Sequence, residues 1–398
     1  MRPDYRAKRI RGFGTSVFSE MSRLAREHGA VNLGQGFPDF PGPDFVKEAA
    51  KTAIDADFNQ YAISHGAPRL RSAVAQTWTN GFGCDVDPER EITVTSGATE
   101  AIYDAIQAFT GPGDEIVVFE PFYDSYLPSA TMAGARLRAI RLQPPDWTFD
   151  RDQARAAFGP KTRMLLLNSP HNPTGKVFSR VELEFLADLC RHWDMVAICD
   201  EVYDRIIFDE VTHIPLATLP GMWERTLAIN STGKTFSMTG WKVGYAVGGV
   251  HLNEGLRAVH QFVTFATSTP FQEAMADAFA EAESRNYYAD LQRDYTMRRS
   301  LLANALHEAG LPTLPVQGAY FLMADVSETG FADDVAFCRW LTSEIGVAAV
   351  PPSAFYLDPS EASLLARFCF AKAPETIDQA AQRLRLLPER RALRKVML

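Results

Sequence analysis

Lys234 stands directly after an apolar run, among Ser231, Thr232, Gly233 and Thr235, with no acidic residue beside it in the chain. A lysine that is partly desolvated and close to a second cation can act as an imine-forming nucleophile. Lys242, in Gly240-Trp241-Lys242-Val243-Gly244, could supply that cation while binding a phosphate. The alternative is a pair of exposed lysines. Asp200 closes the apolar run 196–199, which puts its carboxylate at the rim of a sheet, where it needs a cationic partner. The nitrogen of a flat heterocycle would serve, because a nearby anion keeps such a ring protonated. Tyr203, three residues on, can reach an oxygen of the same ring. A structural salt bridge or a helix N-cap would use Asp200 equally well.

Four further groups extend this chemistry. Ser96-Gly97-Ala98-Thr99 lies between a strand and a helix starting near Glu100, where backbone N–H groups and the helix dipole suit a phosphate. Tyr123 can lay its ring on a flat ligand, although core packing would also account for it. In the turn 168–175 two prolines hold Asn172 stiffly enough for its amide to donate to a ring oxygen, with Ser169-Pro170 and Asn172-Pro173 as candidate cis bonds. Arg367 sits in the alternating run 364–370, which would bury its guanidinium. A substrate carboxylate matches that planar fork, and an internal Asp or Glu is the alternative. The G-x-G-x-x-G and Walker A patterns are absent, which argues against a dinucleotide or ATP.

Elements that could carry these groups are legible as short β-rich runs at 92–95, 115–119, 164–168, 196–199, 226–230 and 243–248, alternating with amphipathic stretches. One such stretch, 181–193, repeats Leu183, Leu186, Ala187 and Cys190 at helical spacing behind a Ser179 cap. The pattern predicts an α/β fold with a mainly parallel sheet, and the polar groups follow the carboxyl ends of its strands, where ligands bind in such sheets. Residues 45–286 are expected to form the large domain, with 1–44 and 287–398 packing together as a smaller one.

The 398 residues include 46% hydrophobic and 22% charged ones, the make-up of a soluble globule. A net charge of -9 argues against a nucleic-acid partner. Cys84, Cys190, Cys199, Cys338 and Cys369 are scattered without metal-ligand spacing, so they read as reduced thiols and no metal is expected. With a charged beginning and no long apolar run, neither a signal peptide nor a membrane partner is expected, and the location reads as cytoplasmic.

Together Asn32-Leu33-Gly34-Gln35-Gly36-Phe37-Pro38-Asp39, Asn172-Pro173-Thr174-Gly175, Asp200-Glu201-Val202-Tyr203, Gly233-Lys234-Thr235 and Gly240-Trp241-Lys242-Val243-Gly244 resemble class I aminotransferases. The likeness runs from about Phe18 to Phe370 and is nearest the branch of kynurenine aminotransferase I, bacterial methionine aminotransferase and succinyldiaminopimelate aminotransferase. It implies fold type I, pyridoxal 5′-phosphate as cofactor and a homodimer with shared sites. Carried over residue by residue, it implies Lys234 as the Schiff-base lysine, Asp200 on the pyridine nitrogen, and Asn172 and Tyr203 on the ring hydroxyl oxygen. It further implies Gly97, Ala98, Thr99, Ser231 and Lys242 on the phosphate, and Tyr123 stacked on the ring. Gly36 and Arg367 would hold the substrate carboxylate, and Tyr61 would reach the phosphate of the neighbouring subunit.

The sequence departs from the kynurenine and glutamine enzymes at Phe18, where they carry Trp, and at Ala266 after Phe265, where they carry His. Thr264-Phe265 followed by Thr269-Pro270 agrees better with the methionine type. The expected reaction is ping-pong transfer of an amino group from an L-amino acid to a 2-oxo acid, with the freed Lys234 amine moving the Cα proton. Phe18, Thr99, Phe265 and Phe355 form the expected side-chain wall, apolar and without a second arginine, which favours methionine-like or aromatic donors. Arg11 or Arg23 swinging in would instead admit an acidic or succinylated donor. A carbon–sulfur β-lyase would share every site residue. A transcription regulator's sensing domain is disfavoured, because no basic DNA-binding segment precedes the likeness.

Overall fold

The structure is a computed structural model and describes residues 4–397; residues 1–3 and 398, which the expected division 1–44 and 287–398 includes, lie outside the described residues. Eleven strands occur among the described residues: β1 (Val31–Asn32), β2 (Ile92–Thr95), β3 (Glu115–Glu120), β4 (Arg136–Arg141), β5 (Thr162–Asn168), β6 (Val196–Asp200), β7 (Thr226–Ser231), β8 (Gly244–Gly248), β9 (Phe321–Asp325), β10 (Val347–Ala348) and β11 (Leu365–Cys369). Seven of them form one sheet in the order β2-β8-β7-β6-β5-β3-β4, parallel throughout except for β8, which runs antiparallel to both neighbours. The fold is therefore α/β with a mainly parallel central sheet.

Side chains alternate across a strand, so this sheet must be apolar on both faces to lie between helices. On one face Val117, Phe119, Leu165, Leu167, Ala197 and Cys199 pack against Leu183, Leu186 and Cys190. These last belong to the helix Arg180–His192, opened by a capping box in which the Ser179 hydroxyl accepts from the Glu182 N–H and Glu182 accepts from the Ser179 N–H. On the other face Ile116, Val118, Leu166, Ile198 and Ile229 meet Ala101, Ile102, Ala105 and Ile106 of the helix Ala98–Phe109. Each fully buried Val, Leu or Ile contributes about 1.5–3 kcal/mol, enough to fix the strand ends relative to one another.

A second core joins Met21, Val31 and Leu33 to Leu302, Phe337, Val347 and Phe368 from late in the chain. Here β1 pairs parallel with β10 and β9 antiparallel with β11, while the Cys369 N–H donates to the Leu33 carbonyl at 2.7 Å. That pairing carries Arg367 up to the segment beginning at Gly34. Among the described residues no helix is long and apolar enough to cross a membrane.

Candidate active site

A cavity of about 300 Å³ opens beyond the carboxyl ends of the parallel strands. Its floor and walls come from the turns after β2, β3, β5, β6 and β7, closed by the 35–37 segment and by Arg367 from β11. This is where an open α/β sheet offers its strand-end dipoles and loops to a ligand.

Lys234 lies in the one-turn helix Thr232–Thr235 that follows β7 directly. Its amine donates to the Tyr320 hydroxyl at 2.8 Å and lies 3.4 Å from the Gly36 carbonyl. Burial disfavours the ammonium form and brings its pKa down to about 8, with Lys242 and Arg367 pushing the same way against Cys369 and Asp200. Asp200, at the end of β6, is buried and accepts from the Tyr126 hydroxyl at 2.6 Å. Burial still raises its carboxyl to about 6, so it has not found the full cation it can accommodate. Asn168 ties the neighbouring turn in place: its amide donates to the Asp200 carbonyl at 2.8 Å and its oxygen accepts from the Asn172 N–H at 2.7 Å. Both Ser169-Pro170 and Asn172-Pro173 are cis in that turn.

Arg367 is 1% exposed, yet among the described residues it makes no ion pair with an Asp or Glu. One terminal nitrogen donates to Asn172 Oδ1 and the other to the Gly34 carbonyl, each at 2.9 Å, while Nε has no partner. The rings of Phe321, Phe18 and Phe355 lie 4.2, 5.0 and 5.2 Å from the guanidinium carbon. Asp124 is near enough for its charge to act on this cation but makes no hydrogen bond to it, so the buried guanidinium keeps spare donors for an anion from outside the chain.

The turn between β2 and the following helix makes the second anion site. Gly97 adopts φ +82°, and a Cβ there would stand 3.1 Å from the Lys242 amine, so both conformation and close approach require glycine. Gly97's own N–H is engaged by the Thr95 carbonyl at 2.7 Å, and Ser96 N–H is held by Glu100. The donors this turn can offer an anion are thus those of Ala98 and Thr99, the first of the helix Ala98–Phe109, with Lys242 beside them. Behind it Glu100 accepts from His260 Nδ1 at 2.8 Å, while His260 Nε2 donates to the Ser64 carbonyl at 2.7 Å. Two acceptors on one ring require the doubly protonated imidazolium; burial opposes it, but Glu100 outweighs burial and the His260 pKa is raised.

The model of the aminotransferase class I and II family matches residues 28–384. The chain belongs to this family. It is thus a transaminase, an enzyme that transfers amino groups. A methionine aminotransferase of Escherichia coli is 43% identical, the match covering 94% of this chain and 96% of that one. Kynurenine–oxoglutarate transaminase 1 of Homo sapiens is 39% identical, covering 97% and 99%. The solved N-succinyldiaminopimelate aminotransferase of Mycobacterium tuberculosis superimposes with a TM-score of 0.92 at 44% identity, over 96% of this chain and 100% of that one.

Within the aminotransferase, Gly36, Gly97, Ala98, Thr99, Tyr123, Asn172, Asp200, Tyr203, Ser231, Lys234, Lys242, Arg367 and Phe18 all line the one cavity. Three expected residues do not. Phe355 is fully buried behind Phe18, their ring centroids 5.8 Å apart, and braces Arg367 instead of facing a ligand. Tyr61 and Phe265, both expected at the neighbouring subunit's site, lie edge to face at 5.4 Å on the surface, 84% and 46% exposed. Sequence reasoning also missed two tyrosines. Tyr126 opens the helix Tyr126–Ala133 just after the loop that carries Tyr123, the two rings edge to face at 5.8 Å. Its place in the same aromatic segment was the available signal for a second hydroxyl near the ligand. Tyr320 gave none, because its neighbours Gly36 and Lys234 come from distant parts of the chain.

Proposed function

We propose that the cavity holds pyridoxal 5′-phosphate on Lys234 and that the enzyme transaminates methionine-like, apolar or aromatic L-amino acids against a 2-oxo acid by a ping-pong mechanism. The carrying observation is Arg367, buried without a carboxylate partner and opening on the same cavity as the Lys234 amine. The donor set fits the cofactor: a lysine with a lowered pKa, a buried carboxylate short of a cation, and N–H donors beside Lys242 for a phosphate ester. When bound, the cofactor supplies an electron sink for the pair left by the departing Cα proton.

The protein's part follows from its geometry. Arg367 takes the substrate carboxylate on its spare N–H donors, aided by Gly36, and so fixes Cα relative to Lys234. Asn172 Oδ1 is committed to Arg367, which leaves its Nδ2 to donate to a ring oxygen beside Tyr203. Asp200 holds a pyridinium nitrogen, steadied by the Tyr126 hydroxyl. Tyr123 covers the ring face, and Ser231 completes the phosphate set of Ala98, Thr99 and Lys242; Gly97, expected in that set, gives room for the approach and not a donor, because its N–H is taken by the Thr95 carbonyl. With a pKa of about 8, Lys234 has a usable neutral fraction near neutral pH and can take the Cα proton as base.

Substrate preference rests on what remains of the lining. Lys234, Lys242 and Arg367 are the cations among the residues around the cavity, and each already has a role. None is left for a distal carboxylate, which would be costly to desolvate, while Phe18, Phe37 and Ile102 offer apolar area to a thioether or ring. Arg23 is paired with Glu27 at 2.6 Å and Arg11 with Asp4 at 3.6 Å, away from the lining. The similarity to the E. coli methionine aminotransferase points the same way, whereas that to the succinyldiaminopimelate enzyme supports the alternative donor. A homodimer accounts for exposed Tyr61 and Phe265 as contributors to the neighbouring site. Half-reaction rates for methionine, phenylalanine, glutamine, aspartate and succinyldiaminopimelate test this: methionine should lead, and an acidic donor outrunning it would overturn the substrate reading.

A further inference from the structure

Tyr320 joins both ends of the proposed chemistry through a single hydroxyl. Its hydroxyl accepts from Lys234 Nζ at 2.8 Å and donates to the Gly36 carbonyl at 2.6 Å, in the segment assigned to the substrate carboxylate. The ring has no freedom to be elsewhere. It is fully buried, stacked 5.9 Å from Tyr295, edge-on to Tyr203 at 5.0 Å and to Phe321 at 4.9 Å. Its backbone follows Ala319 at φ +59°, a conformation costly for a residue with a Cβ and found where a neighbouring side chain must be aimed. Gly36 is held equally tightly, since a Cβ there would stand 2.9 Å from the Phe321 ring.

The direction of the hydrogen bonds decides what Tyr320 does. Its single proton is committed to a carbonyl that can only accept, so towards Lys234 it can only be an acceptor. It therefore orients the lysine amine through its lone pair and is not itself the proton source. We propose that Tyr320 is a positioning residue: it holds the Lys234 amine, whenever that amine is free, in line with the substrate's Cα, and it fixes that position to the Gly36 segment that receives the carboxylate. The inference rests on Lys234 being the reactive amine.

An accepted hydrogen bond from an ammonium is stronger than one from a neutral amine, so Tyr320 also favours the charged form of Lys234. Around that amine, Asp200 and Cys369 act in the same sense, while burial, Lys242 and Arg367 act against it, and the ring faces of Tyr203 and Tyr320 lie at 5.7 and 5.4 Å. Removing the hydroxyl should lower the lysine pKa by roughly half to one unit.

The test is Tyr320→Phe, which keeps the ring and its packing. On the cofactor-free full-length chain, competitive acetylation followed by peptide mapping reads the Lys234 pKa. On the loaded enzyme, the half-reaction with methionine and with Cα-deuterated methionine is followed by stopped flow. We expect the pKa to fall as stated, kcat to drop roughly 10- to 100-fold with KM changed less than about 3-fold, and the deuterium effect to rise as proton transfer becomes slower. Thermal unfolding close to wild type establishes that packing is intact. An unchanged Lys234 pKa together with an unchanged deuterium effect would overturn the proposal and leave Tyr320 a packing residue. Failure of the underlying reading is separable, because it would appear as normal turnover in Lys234→Ala whatever Tyr320→Phe does.

Discussion

Replacing Arg367 by Met separates its role toward a ligand from its role in the fold. The guanidinium has five N–H donors, and the bonds to Asn172 Oδ1 and the Gly34 carbonyl leave three, Nε among them. Two of these suffice for a bidentate grip on a substrate carboxylate, each bond to a charged group being worth about 1.5–3 kcal/mol. Losing both costs about 3–6 kcal/mol, or roughly 10²- to 10⁴-fold in kcat/KM at 1.36 kcal/mol per decade. Methionine ends near the position of Nε, so it removes the buried charge and keeps part of the packing against Phe18, Phe321 and Phe355. Asn172 Oδ1 and the Gly34 carbonyl lose their donors at about 1–3 kcal/mol each, and stability should fall by no more than a few kcal/mol. The assay compares the second-order half-reaction rate of methionine with that of its decarboxylated amine. The wild type should prefer the acid by orders of magnitude, and Arg367→Met should collapse that ratio while leaving the amine rate within a few-fold. An undiminished preference for the acid would refute the assignment of Arg367 to the carboxylate.

Asp200→Asn should retain the cofactor and lose orders of magnitude in turnover, because a neutral partner no longer keeps the ring protonated; near-wild-type turnover would release Asp200 from that role. Mixing inactive Tyr61→Phe and Lys234→Ala subunits, allowed to exchange, should restore activity if Tyr61 serves the neighbouring site, whereas an active monomer by sedimentation would exclude the dimer. Asp104 is buried beside Glu100 and His260 with neither carboxylate oxygen hydrogen-bonded, and burial together with Glu100 raises its pKa to about 7. The unfolded chain releases that proton near pH 4 and the folded chain only near 7, so Asp104 lowers stability progressively as pH rises through this window. Asp104→Asn should therefore raise Tm more at pH 8 than at pH 5, and an equal change at both would contradict the raised pKa.

The central strands were legible because short β-branched runs buried on both faces leave little else for the chain to do: the reading at 92–95 matches β2, and those at 196–199 and 226–230 fall one residue short of β6 and β7. The sequence of β4, Arg-Leu-Arg-Ala-Ile-Arg, does not read as a strand, since β4 pairs with β3 alone and carries exposed Arg136 and Arg138 where a central strand would be apolar. The polar residues that end strands announced the cavity for the same reason, a polar group at the close of an apolar run being expensive without a partner. Which partner it has is a three-dimensional question. Arg367 was left open between an internal carboxylate and a ligand, and only the pairing of β11 with β9 and its approach to Gly34 leaves Nε bare. The tyrosine hydroxyls on Asp200 and Lys234 depend on contacts 74 and 86 residues apart, beyond any local pattern.

Reduction of the purified enzyme with borohydride, followed by peptide mapping, identifies the lysine that carries the cofactor. A phosphopyridoxyl group on Lys234 is expected, accompanied by complete loss of turnover in Lys234→Ala. The same group on Lys242, or none on either lysine, would contradict the site described above.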